Sequence, residues 1–361
     1  MQEHLAGRIA PAIARATALL LAEAEHGFPG LRHEMTFPRA AGFTATQETQ
    51  ATDVFARATM ANLLLDIVPL CKDAVTATAF SSIARREADY VAGAKSRDRV
   101  GGWSYFPGLP ELPPDVDSLA AAMSLFARIA PRHLPLCGDA VALVLADIGS
   151  DGAMETWIVA PGDAAADRQR SEWAIEHCWG RGTDVDVVAN FHHALFLVDP
   201  DRHAAAIRRG AAKVTAMQRF DGAWDASWYS GFNYGSALCL RLLREAGQGE
   251  ASAAQAFDFI RRMQRRDGSW GGARPIALET ACGIWSLTEI DPAGALPEIA
   301  RAATALLDLQ LDDGSWAASP WIKMQIGRAT GSISRVATHG NVPITTALCL
   351  KASLLADALL R

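Results

Sequence analysis

Two places in the chain set aspartates one residue apart: Asp115 and Asp117 in "PPDVDSL" (113–119), and Asp184 and Asp186 in "TDVDVV" (183–188). Each pair opens an apolar run. The ordinary task of an Asp there is to cap a helix, because its carboxylate accepts the free N–H groups of the first turn and suits the positive end of the helix dipole. A second task arises where several carboxyls crowd one apolar cavity. Each then resists ionising, and a neutral Asp can act as a general acid. Asp53, Asn233, Tyr234 and Glu279 stand at the heads of other apolar runs, so the question is whether these heads meet.

A repeat addresses it. "QRFDGAW", "QRRDGSW" and "QLDDGSW" begin at 218, 264 and 310, which is 46 residues apart each time. Degenerate copies lie upstream in "VGGWSYF" (100–106) and "GSDGAMETW" (149–157). Each Asp-Gly marks a turn after a helical run. The Trp is expected to pack over the turn while the Gln amide bonds free backbone groups. Apolar residues on both sides recur at helical spacing, giving about twelve helices in pairs. The first of each pair carries its charges on one face: about 5–24, 74–93, 136–147, 202–217, 251–264 and 295–310. The second is poor in charge: about 49–67, 116–130, 185–198, 233–245, 276–288 and 343–360. Helices with little charge are buried all round. The expectation is an all-α (α/α)6 barrel of six outer and six inner helices, one domain over 1–361, with residues 1–100 completing the ring and the polar heads of the inner helices around one mouth.

Composition narrows the function. Half of the 361 residues are hydrophobic, and the net charge is −6 without a basic run at either end, so no nucleic-acid partner is expected. Six scattered cysteines make neither a disulfide framework nor a CxxC metal site. A reducing, cytoplasmic location is expected, with at most peripheral membrane contact, since no run of apolar residues is long enough to span a bilayer. Cys239, Cys282 and Cys349 read as small buried residues, and no metal is expected.

With these motifs in order, residues 101–361 resemble the catalytic domain of squalene–hopene cyclases, within the class II terpenoid cyclase and prenyltransferase β-subunit superfamily. The Gln-to-Trp heptapeptides match its QW motifs. "GGWSYF" followed by "PPDVDSLAAAM" resembles the stretch ending in its Asp-x-Asp-Asp acid motif, and "WYSGFNYGSAL" (228–238) a segment with Trp and Tyr six residues apart. The resemblance implies that Asp117 protonates an isoprene double bond beside Asp115, and that the polyene closes through carbocations. Tyr105, Trp228 and Tyr234 would then offer aromatic faces, with Trp285 as a further substrate contact. Asn190 stands where the family has a His that orients the acid, and His193, one turn on, is a substitute from the same face; His192 points elsewhere and reads as packing. Asp186 is the rival acid.

Three departures bear on the activity. Ser118 replaces the last Asp of the motif. The loop "AASPWIKMQIGRATGSISRVATHGN" (317–341) has Trp321 as its one aromatic but holds Lys323, Arg328, Arg335 and His339 without an acid. Its cations either form a solvated basic loop or grip a diphosphate; the second reading would select a prenyl diphosphate over squalene, and Mg2+ is expected only in that case. The cyclases also form their pocket against a second barrel, so here the cavity is either internal or covered by a partner or second subunit. The leading expectation is a class II-type terpenoid cyclase. The alternatives are a hydratase or isomerase using the same acid, a non-catalytic isoprenoid-binding protein of this fold, and a carbohydrate-active enzyme.

Overall fold

Helices of two compositions build the molecule, a computed structural model that describes residues 2–361. In chain order they are α1 (Gln2–Glu25), α2 (Val54–Ile67), α3 (Ala74–Gly93), α4 (Val116–Ile129), α5 (Gly138–Asp147), α6 (Ala165–Ala174), α7 (Val185–Val198), α8 (Ala204–Ala216), α9 (Asn233–Ala246), α10 (Glu250–Met263), α11 (Ala277–Ile290), α12 (Leu296–Asp308) and α13 (Val342–Leu359). The charge-poor α2, α4, α7, α9, α11 and α13 touch in that order and close on themselves, α13 against α2. This is the inner ring of an (α/α)6 barrel, with α1, α3, α5, α8, α10 and α12 as its outer members. Apolar residues on nearly every face of the inner helices give one continuous core, as burial on all sides requires. Among the described residues α13 alone is long and apolar enough to cross a membrane, contrary to the sequence expectation, but 78% of it is buried in the ring.

The QW turns staple the ring. Gln218 Nε2 donates to Gly222 O and Ser252 O, both at 2.9 Å; Gln264 to Gly268 O and Glu298 O, both at 2.9 Å; Gln310 to Gly314 O and Ala12 O, both at 3.0 Å. Each amide thus ties its own turn to the next outer helix, and the last reaches α1. Trp224, Trp270 and Trp316 donate to carbonyls ten residues back, at 2.7–2.8 Å. The turns need glycine: Gly268 has φ +88°, and a Cβ there would lie 2.5 Å from Arg301 O.

Three departures from the expected pattern matter. Residues 49–52, expected in a helix, form β2 (Thr49–Thr52), which pairs antiparallel with β1 (His33–Thr36). The expected loop 317–341 is a hairpin of β3 (Ile322–Ile326) and β4 (Arg335–His339). Helix α6, continued by a π-helical turn at Ile175–Trp179, has no place in the expected twelve. All three lie near the heads of the inner helices.

Candidate active site

The "PPDVDSL" stretch is strapped in place before α4 begins. Asp115 N donates to Trp103 O at 3.1 Å, Val116 N to Thr156 O at 2.9 Å, and Ile158 N to Pro114 O at 2.8 Å. Asp115 then caps α4, accepting Ser118 N at 2.7 Å and Ser118 Oγ at 2.8 Å. Ser118 therefore supports the cap and leaves Asp117 alone. Burial raises the Asp115 carboxyl to about 6 against those hydrogen bonds.

Asp117, one residue into the helix, takes its partners from other elements. Its Oδ1 accepts Asn190 Nδ2 from α7 at 2.7 Å, and its Oδ2 accepts the Tyr229 hydroxyl at 2.5 Å. Burial raises its carboxyl to about 7; the two hydrogen bonds oppose this, and the negative charges of Asp115 and Asp184 reinforce it. Such a group carries a proton near neutral pH and can give it up there.

Asp117 and Asp115 face a small chamber walled by Phe55, Tyr105, Trp157, Trp179 and Trp228, with Leu112, Thr156, Ile322 and Met324 completing it. Its cover is the chain's own β3. Lys323 N donates to Trp228 O and Ser230 N to Trp321 O, both at 2.8 Å. Hairpin β1–β2 braces this cover: His33 Nδ1 lies 2.9 Å from the Tyr105 hydroxyl, and the His33 ring stacks on His339 of β4 at 3.9 Å. Asn190 and Tyr229 line a second, more polar space inside the ring, together with Tyr234, Trp285, His193, Arg241, Asp66 and Arg128. Phe55 borders both. Asp117 thus stands at the wall between an aromatic chamber and a polar lumen.

The other candidates separate. Asp186 is fully buried and accepts Trp228 N at 2.9 Å and Ser227 N at 3.3 Å. Burial, then Asp184 and Asp117, push its carboxyl up, but it lines neither space, so it fixes the backbone that carries Trp228 and Tyr229. Tyr105 and Trp228 wall the chamber, whereas Tyr234 and Trp285 belong to the lumen. His193 does not substitute for the missing histidine, because its Nδ1 pairs with Glu245 at 2.8 Å and burial, then Arg241, lowers its pKa to about 4. His192 packs over Gly210 and bonds Val188 O at 2.8 Å.

Nor do the cations of 317–341 form an anion clamp. Arg328 grips Asp184 with both terminal nitrogens, Lys323 Nζ donates to Ala226 O at 2.9 Å, and Arg335 to Thr36 O at 3.2 Å. Burial raises Asp184, yet Arg328 outweighs it and holds that carboxyl below its ordinary value. These cations fasten the hairpin. Asp53 likewise turns away, taking the Tyr90 hydroxyl at 2.7 Å, and Glu279 accepts Asn233 N at 3.2 Å. Cys239, Cys282 and Cys349 are buried free thiols.

Sequence reading missed Phe55, Trp157, Trp179, Tyr229 and Arg241. Only Trp157 and Tyr229 left a signal. Trp157 ends a degenerate repeat, yet its indole donates to Gly180 O and lines the chamber instead of stapling a turn. Tyr229 adjoins the matched Trp228.

The family model described as squalene-hopene cyclase C-terminal domain matches residues 181–277. Labda-7,13-dienyl diphosphate synthase of Streptomyces clavuligerus is 27% identical over 320 residues, 86% of this chain and 50% of that protein. The chain is thus similar to class II terpenoid cyclases. Drimenyl diphosphate synthase of Streptomyces showdoensis is 26% identical over 72% of this chain and 44% of its own length. The chain thus spans about half the length of these curated relatives. The unliganded structure of the type II terpene cyclase MstE from Scytonema shares the fold, with a TM-score of 0.72 at 19% identity over 98% of this chain and 99% of that one.

Proposed function

We propose that this chain is a class II-type terpenoid cyclase in which Asp117 protonates an isoprenoid double bond and the resulting cation closes rings within the aromatic chamber. The observation that carries the reading is the placement of Asp117: buried, raised to about 7, and facing five aromatic side chains across a space with no cationic residue in its lining. The neutral acid gives its proton to the alkene carbon that leaves the more substituted cation. Negative charge then grows on the carboxylate, where the Asn190 amide and Tyr229 hydroxyl already point. Donors that bind the product carboxylate more strongly than the neutral acid lower the barrier. The aromatic faces stabilise the cation through their negative quadrupole. Loss of a proton ends the sequence; capture by water at the same cation would give a hydratase.

At about 40 Å3 the chamber has room for only a few waters. An isoprenoid therefore enters by moving the β3–β4 cover, and Met324 and Ile322 are the side chains that must yield. The substrate class is a linear polyene, a prenyl diphosphate or a related compound. Both choices have support among the comparisons: the two Streptomyces relatives are named as diphosphate synthases, and one structure of MstE holds geranylgeranyl dihydroxybenzoate. Free thiols at all six cysteines fit the cytoplasm. Product analysis with farnesyl and geranylgeranyl diphosphate, geranylgeranyl dihydroxybenzoate and squalene tests the reading. A cyclised product absent with Asp117→Asn supports it. Ligand binding without turnover, surviving Asp117→Asn, would instead favour a non-catalytic isoprenoid-binding protein.

A further inference from the structure

Three cations of the inner helices gather at the polar lumen behind Asp117, Arg128 and Arg241 in its lining and Lys351 against Asp66, and they are not equivalent. Arg128 and Lys351 both pair with Asp66, at 2.8 and 2.9 Å. Arg241 has no carboxylate within 4.0 Å among the described residues, and its Nε is buried without a hydrogen-bond partner. Its one side-chain hydrogen bond runs from Nη2 to Asn190 Oδ1 at 3.3 Å, while its guanidinium lies 5.6 Å from the centre of the Trp285 ring. Of the other charged or titratable groups, Asp66, His193 and Tyr234 feel its charge, while Arg244 and Glu245 follow on its own helix and Glu289 lies on α11. Glu245 is taken by His193 and Glu289 by Arg244 at 2.6 Å.

We infer that Arg241 acts on the acid through Asn190, as a positioning residue that supplies the positive charge Asn190 itself lacks. A guanidinium only donates and a carboxylate only accepts, so the network fixes the amide orientation: Oδ1 toward Arg241, Nδ2 toward Asp117. A cation bonded to an amide oxygen draws electron density from the amide nitrogen and strengthens its N–H as a donor. The Nδ2–H at 2.7 Å from Asp117 Oδ1 then favours the carboxylate over the neutral acid, which makes Asp117 a stronger acid. The other groups facing it (Asp115 two residues earlier, Asp184 and Asp186 at the head of α7, and the Tyr229 hydroxyl) include three carboxyls whose charge would weaken it. The relay opposes them without placing a cation in the chamber, where it would repel the carbocation.

The inference rests on the proposed role of Asp117, and its deciding readout needs no substrate. The carboxyl band of Asp117 is titrated by infrared difference spectroscopy, with Asp117→Asn as the reference that assigns it. Arg241→Met should raise the midpoint by about one pH unit and slow turnover about tenfold, shifting the alkaline limb of the kcat profile upward. Arg241→Lys should restore most of both, and Arg241→Gln serves if the Met variant does not fold. In an Asn190→Leu background the same change should move the midpoint little. An unmoved midpoint, or an equal shift in both backgrounds, would overturn the relay. A shifted midpoint in a chain that cyclises no isoprenoid would keep the relay and remove the functional reading instead.

Discussion

Asp117 and Asn190 lie 73 residues apart in the chain and meet at 2.7 Å across the adjoining inner helices α4 and α7. Asp115 caps its helix, whereas Asp117 holds that contact and takes the Tyr229 hydroxyl on its other oxygen. Position relative to the helix start decides it. Asp115 sits at the N-cap and turns to Ser118, while Asp117 is one residue inside and turns to the neighbouring helix.

The pH dependence follows from the sign of the Asp117 shift. The proton donor is the neutral acid, so kcat should hold at acidic pH and fall as pH rises through about 7. A rate profile at saturating substrate checks this, and a rate that climbs from pH 6 to 8 would contradict it.

Stability carries the same group with its own sign. The folded chain binds the Asp117 proton more tightly than the unfolded chain, so its stabilising contribution is complete below the unfolded value and disappears as pH rises through about 7. Linkage sets an upper limit of about 4 kcal/mol. Asp117→Asn should therefore melt higher than the parent at pH 8.5 and nearly equal to it at pH 4, by calorimetry at both values.

Tyr229→Phe removes one of the two donors without opening space. Asp117 should become a weaker acid, with kcat about tenfold lower and KM little changed, since the loss falls on the charge that develops during proton transfer. A rise in KM at constant kcat would assign Tyr229 to substrate binding.

Arg328→Met cuts the tie between Asp184 and the hairpin. Amide exchange across Ile322–His339 should quicken while the barrel helices remain protected. Exchange unchanged there would show that the hairpin is held by its backbone pairing to residues 228–230.

Much of this was legible in the sequence. The period of 46 residues and the helical spacing of apolar residues yield the twelve barrel helices, since each must bury a face against its neighbours. The QW staples were readable because Gln, Gly and Trp each have a local task. What escaped depends on distant partners. Helix α6, "AADRQRSEWA", is polar on nearly every side and shows no apolar stripe. In 317–341 the strands are short and the loop between them is rich in Gly and Ser, so its cations were the strongest feature. They suggested a diphosphate clamp because Asp184, 144 residues from Arg328, could not be paired with it from sequence. The role of Arg241 depends on an amide one helix away.

The central claim is tested most directly by running the reaction in D2O with the parent chain and with Asp117→Asn. The account predicts one deuterium per product from the parent, at the carbon next to the first cation. It predicts loss of turnover by at least about 1,000-fold in the variant, with the helical circular dichroism unchanged. A variant that still cyclises substrate near the parental rate, or loss of activity through Asp186→Asn alone with Trp228 and Tyr229 undisturbed, would contradict it.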